Sequence, residues 1–99
     1  MAIRVRIHGR LRIAAGTDEV ELPEGVSNVG DLLSEMTTRF GPEIRQYVFD
    51  PGTENLSPSL VVLVNGHSIK MLKGTNTPLM EKDEISIDSV DITEIVGGG

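Results

Sequence analysis

The residues with the most distinct chemical character stand at the end of the chain. Gly97-Gly98-Gly99 follow Asp91-Ile92-Thr93-Glu94-Ile95-Val96. At the usual glycine frequency of about 7%, three terminal glycines arise by chance roughly three times in ten thousand, so the tail calls for an explanation. Glycine adds nothing to a packed core. A terminus without Cβ atoms does let other backbone approach closely at any φ, which suits entry into a narrow channel. Residues 91–99 reach at most about 30 Å when extended. A terminal carboxylate is ionised at neutral pH, with a pKa near ~3.5, and is a poor electrophile. To react with a nucleophile at its carbonyl carbon it needs a better leaving group. The bland alternative is a frayed end.

The other polar residues suggest less. His8 and His67 fall near turns or on a polar strand face without nearby acidic ligand spacing, so no metal site is expected. Arg4, Arg6, Arg10 and Arg12 form a basic stripe, read as a solvated strand face with an acidic partner face as the alternative. Glu19/Glu21 and Asp83-Glu84 have no nucleophile to serve and read as solubilising charge. Gly9, Gly16 and Gly30 do not give a phosphate-binding spacing after a strand, so no bound nucleotide is expected. Lys70, Lys73 and Lys82 are the only lysines. With the N-terminal amine, they are the candidate acceptors if copies of this chain are joined to one another.

Composition closes other routes. The chain has 99 residues, 38% of them hydrophobic, which suits one domain with one small core. It has no cysteine, which removes disulfides, thiol catalysis and Cys-ligated metal. Three aromatic residues are too few for base-stacking platforms, and a formal charge of −6 repels phosphate backbones, so nucleic acid is not an expected partner. No apolar run approaches the roughly 20 residues of a membrane span. The N-terminus alternates instead of running basic then apolar. A cytoplasmic location without membrane attachment is expected.

The elements that must position the tail follow from periodicity. Ile3-Arg4-Val5-Arg6-Ile7 alternates with period two, and Asp18-Glu19-Val20-Glu21-Leu22 does so again. The Gly-bearing connection between them predicts a hairpin. Val29, Leu32, Leu33, Met36 and Phe40 make one stripe of an amphipathic helix. Ser27 or Asn28 is its N-cap, and Gly41-Pro42 its stop. Pro42 to Phe49 has a short apolar edge of Ile44, Tyr47 and Val48, and Asp50 to Ser59 reads as an exposed loop. Leu60–Val64 is apolar throughout and precedes Asn65-Gly66, the sequence of a type I′ hairpin turn. Either both faces of that strand are buried, or Leu60, Val62 and Val64 form an exposed docking patch for a partner. Glu84-Ile85-Ser86-Ile87-Asp88 is the last alternating strand. The order β, β, α, β, short β, β predicts an α+β layer pair, with a sheet of four or five strands on one main helix.

Several of these pieces together resemble the ubiquitin-like β-grasp sulfur carriers and modifiers. That family includes the small molybdopterin synthase subunit, the thiazole-synthesis sulfur carrier and the small archaeal modifier proteins. The likeness lies in the opening hairpin with Arg10-Leu11-Arg12, the helix start Val26 to Leu33, and Val62-Leu63-Val64-Asn65-Gly66. It continues in Leu72-Lys73-Gly74, Thr77-Pro78-Leu79, Asp83-Glu84-Ile85 and the terminal Gly-Gly.

The resemblance implies a mixed β-grasp domain over residues 1–90 and a flexible tail over 91–99. It implies that an E1-like adenylating enzyme uses ATP to activate the carboxylate of Gly99, next to Gly98, with Val96 and Gly97 threading into that enzyme. The chain itself would bind no cofactor and would be a substrate, not a catalyst. Three functions stay open. The chain is a modifier joined by an isopeptide bond to lysines of target proteins, which the long tail favours. Or it carries a C-terminal thiocarboxylate for molybdopterin synthesis, thiazole synthesis or tRNA thiolation, with the large subunit of molybdopterin synthase or another sulfur acceptor as partner. Or it is an interaction module with an inert tail. A monomer is expected when it is free.

Overall fold

The computed structural model describes residues 3–22, 25–50, 52–53 and 55–89. The tail 91–99 and the expected boundary at residue 90 lie outside the described residues. β1 (Ile3–Ile7) buries Ile3, Val5 and Ile7 and leaves Arg4 and Arg6 in solvent, as its period of two demands. It pairs antiparallel with β2 (Glu19–Leu22), Val5 opposite Val20, and parallel with β5 (Glu84–Ser89), Val5 opposite Ile85. β3 (Leu60–Val64) pairs antiparallel with β5, Val62 opposite Ile87, and with the two-residue edge strand β4 (His67–Ser68). The sheet order is β2-β1-β5-β3-β4, a mixed five-stranded sheet with β5 in the middle.

The connection between β1 and β2 differs from the expected hairpin loop. It holds a helix, α1 (Gly9–Ala15), ended by Gly16 at φ 75°. The sequence concealed it because Arg10-Leu11-Arg12-Ile13 alternates like a strand, and because Leu11 is the only residue the helix buries. The second and longest helix, α2 (Val29–Phe40), matches the predicted stripe, burying Val29, Leu32, Leu33 and Met36. Its N-cap is Asn28, whose Oδ1 accepts from the Asp31 N–H at 2.8 Å. Asp31 Oδ2 in turn accepts from the Ser27 hydroxyl at 2.8 Å and the Ser27 N–H at 3.2 Å. This reciprocal cap satisfies donors at the start of the helix that would otherwise be orphaned.

Gly41, at φ 79°, ends α2 and starts α3 (Pro42–Val48), with Pro42 in the first turn where its missing N–H costs nothing. Ile44 and Val48, four residues apart, turn α3's buried face into the core. One main helix was expected over the sheet. Among the described residues there are three α-helices, and α2 is the principal one. The Asn65-Gly66 turn forms as its sequence dictates, with φ of 54° and 83°. Two short 3₁₀ turns, Ile69–Met71 and Gly74–Asn76, carry the chain away from β4. The result is an α+β layer pair with a single core, built from alternate residues of β1, β3 and β5 and the inner faces of α2 and α3.

Candidate functional site: the root of the C-terminal tail

Gly97, Gly98, Gly99 and Val96 lie outside the described residues. What the structure describes is the point from which they depart. Ser89, the last residue of β5, sits opposite Leu60 and is one of the few buried polar residues in the described part of the chain. Its hydroxyl lies 3.4 Å from that of Ser59, which lies 2.9 Å from that of Ser57. A buried hydroxyl left without a partner costs about 1–3 kcal/mol, so this chain of three serines satisfies a group the fold has taken from water.

On the other side, the Ser89 N–H donates to the carboxylate of the preceding Asp88 at 2.7 Å. Asp88 packs against Gly9, where any Cβ would collide with the carboxylate. Gly9 also stands at φ 59°, so glycine is required there twice over. The His8 N–H donates to the Ile87 carbonyl at 3.0 Å and continues the β1–β5 pairing past the end of β1. The tail therefore leaves from a strand end held on both sides.

The docking patch expected of Leu60, Val62 and Val64 is not at the surface. These residues are only 5%, 2% and 6% exposed and belong to the core. An unbroken apolar run does not reveal which of its two sets faces inward. In β3 the outward set is Val61 and Leu63, both half-buried, on the sheet face that the helices leave open. Val61 lies opposite Asp88, and Leu63 lies between Ser86 and Ser68. Val61 thus lies on the open face beside the end of the strand that leads to the tail.

The basic stripe is also divided. Arg4 and Arg6 are on the open face, whereas Arg10 and Arg12 belong to α1. Arg4 is paired across β2, with Nε 3.1 Å from Glu19 Oε1 and Nη2 3.4 Å from Glu21 Oε1. Exposed pairs of this kind contribute less than about 1 kcal/mol each, but they use the Arg4 charge locally. Lys70, Lys73 and Lys82 are all exposed, in or beside turns. Asp83, read as solubilising charge, has a structural role: Oδ1 accepts from Asn65 and Oδ2 from the Met80 N–H. No pattern in the sequence announced that clamp, because its members are 18 residues apart.

Among the described residues, no helix is long and apolar enough to cross a membrane. The ThiS family matches residues 5–99. A search among curated proteins finds no match. Solved structures do match. The solution structure of small archaeal modifier protein 1 from Methanosarcina acetivorans has a TM-score of 0.79 at 33% identity, covering 89% of this chain and 91% of that one. The crystal structure of the Haloferax volcanii small archaeal modifier protein 1 has a TM-score of 0.77 at 22% identity, covering 92% and 97%. A putative molybdopterin converting factor subunit 1 from Pyrococcus furiosus has a TM-score of 0.68 at 28% identity, covering 92% and 99%.

Proposed function

The chain belongs to the ThiS family, with the ubiquitin-like β-grasp fold of sulfur carriers and protein modifiers, and from that premise we propose that its working atom is the carbonyl carbon of Gly99. The proposed function is a protein modifier. An E1-like enzyme brings ATP to the Gly99 carboxylate, and a carboxylate oxygen displaces pyrophosphate from the α-phosphorus. The acyl-adenylate so formed is the electrophile that the free carboxylate is not. The uncharged amine of a target lysine attacks the carbonyl carbon, AMP departs, and an isopeptide bond remains. No side chain of this protein needs to take part.

The observation that carries this reading is that the family match runs through residue 99 and so includes the glycine tail. The 33% identity to a protein described as a small archaeal modifier supports the modifier form of it. The second reading is a sulfur carrier, in which a sulfur donor takes the place of lysine and leaves a C-terminal thiocarboxylate. The family itself and the 28% identity to a putative molybdopterin converting factor subunit favour it. Both share the adenylate. Val61 and Leu63, on the open face of the sheet, are the proposed contact with the activating enzyme.

Mass spectrometry of the C-terminal peptide, from protein purified out of its own cells, separates the readings. Gly99 joined to lysine side chains establishes the modifier. One oxygen exchanged for sulfur, with no linkages, establishes the carrier. An unaltered carboxylate under every growth condition would overturn both and leave an interaction module with an inert tail.

A further inference from the structure

A groove of about 520 Å³ opens beside the turn from β3 to β4, with Val64, His67, Met71, Leu72, Lys73 and Pro78 in its lining. Met71 is 82% exposed and Leu72 45%, and Met80, whose N–H is held by Asp83 of the same groove, is 74% exposed. Three large apolar side chains in solvent within ten positions mark a contact surface more than a scatter of surface residues. The backbone that displays them is fixed. The Leu72 N–H donates to the Ile69 carbonyl at 3.0 Å and the Lys73 N–H to Thr77 Oγ1 at 3.1 Å. The Thr77 carbonyl accepts from the Val29 N–H and the Leu79 N–H donates to the Ser27 carbonyl, which ties this segment to the start of α2. Ile69 and Leu79, on either side of the exposed pair, are buried. A surface ordered before binding loses little conformational freedom on binding.

Lys70 and Lys73 flank Met71 and Leu72, in a chain of formal charge −6. Neither lysine has a carboxylate partner among the described residues. The one carboxylate in the groove's lining is already engaged, since Asp83 accepts from Asn65 Nδ2 at 3.0 Å and from the Met80 N–H at 2.8 Å. We propose that the groove docks a segment of a partner protein in which large apolar side chains are flanked by carboxylates. The apolar side chains displace water from Met71 and Leu72, and the carboxylates meet Lys70 and Lys73. An uncharged segment gains nothing from the two ammonium groups, and a basic one is repelled by them.

The groove's place on the sheet says what such a partner recognises. Ser89, from which the tail departs, lies opposite Leu60, whereas Val64 stands ~13 Å further along β3. A molecule joined to Gly99 is fastened through the opposite end of the sheet and has no need to cover the groove. The partner is therefore a receptor for the domain itself, with the tail free or joined. That role is independent of the choice between modifier and carrier.

The test selects a phage-displayed library of random 12-residue peptides on the immobilised full chain, with no enzyme present. The enriched peptides are expected to combine two or more large apolar residues with Asp or Glu. Fluorescence anisotropy of a synthetic peptide of the most enriched sequence then measures affinity for variants at exposed positions. Met71→Ser with Leu72→Ser should weaken binding at least about tenfold. Lys70→Glu with Lys73→Glu should weaken it about fivefold or more. A second protein fused to Gly99 should leave it unchanged. Enriched peptides without acidic residues, or affinities indifferent to both pairs of substitutions, would overturn the proposal. So would self-association of the chain at micromolar concentration that Met71→Ser with Leu72→Ser abolishes, which would identify the occupant as a second copy.

Discussion

The side chains of Asn65 and Asp83 are joined directly, Asn65 Nδ2 donating to Asp83 Oδ1 at 3.0 Å. Asn65 also exchanges bonds with the first residue of β5: its N–H donates to the Glu84 carbonyl at 2.7 Å, and its Oδ1 accepts from the Glu84 N–H at 2.9 Å. The turn that ends β3 is thereby fixed to the start of the strand from which the tail departs. Asn65 does this at φ 54°, a conformation that asparagine tolerates better than most residues.

Asn65→Ala should therefore cost about 2–3 kcal/mol, part from lost hydrogen bonds and part from alanine held at positive φ. Asn65→Gly loses the same side chain without the backbone strain and should cost less. Urea denaturation of the two variants measures the difference, and equal midpoints would remove the backbone part of the account.

Gly9→Ala meets both a positive φ and the Asp88 carboxylate. A loss of at least about 2 kcal/mol is expected. Shortening the obstacle with Asp88→Gly should recover some of the loss, but not the part owed to φ. Thermal melting of the single and double variants reads this out.

The two faces of β3 should respond oppositely. Val62→Ala removes buried methyl groups and should destabilise the fold by about 1.5–3 kcal/mol. Leu63→Ser, on the open face, should shift stability by less than about 1 kcal/mol while weakening capture by the activating enzyme. Titration of that enzyme with each folded variant checks the second half. Undiminished affinity with Leu63→Ser would remove the open face from the docking account.

Gly98→Ala with Gly99→Ala should leave the melting temperature unchanged, because glycine brings no side chain to a packed core. It should abolish both conjugation and thiocarboxylation. Adenylation assayed by pyrophosphate release would locate the block at the first step.

Much of the fold was legible because its elements carry strict periods. Ile3-Arg4-Val5-Arg6-Ile7 and Glu84-Ile85-Ser86-Ile87-Asp88 each show one face to the core, and the stripe from Val29 to Phe40 leaves little choice but α2. The Asn65-Gly66 dipeptide placed its turn without help from the rest of the chain. α1 was hidden because a seven-residue helix with one buried side chain has no stripe to show. The Leu60–Val64 run was ambiguous for the opposite reason. Every position is apolar, and only the packing of α2 and α3 decides that Leu60, Val62 and Val64 turn inward. At the candidate site, composition singled out the glycines. The serine chain at Ser89, the Asn65–Asp83 clamp and the groove at Met71 are made by residues far apart in sequence, so no local pattern held them.

β5 lies in the middle of the sheet, hydrogen-bonded along its length to β1 on one side and β3 on the other. Because β1 and β5 run parallel, tension between the two ends of the chain loads their ladder in shear, so that several bonds must break together instead of one after another. A cargo fastened to the tail would be held by a mechanically resistant anchor.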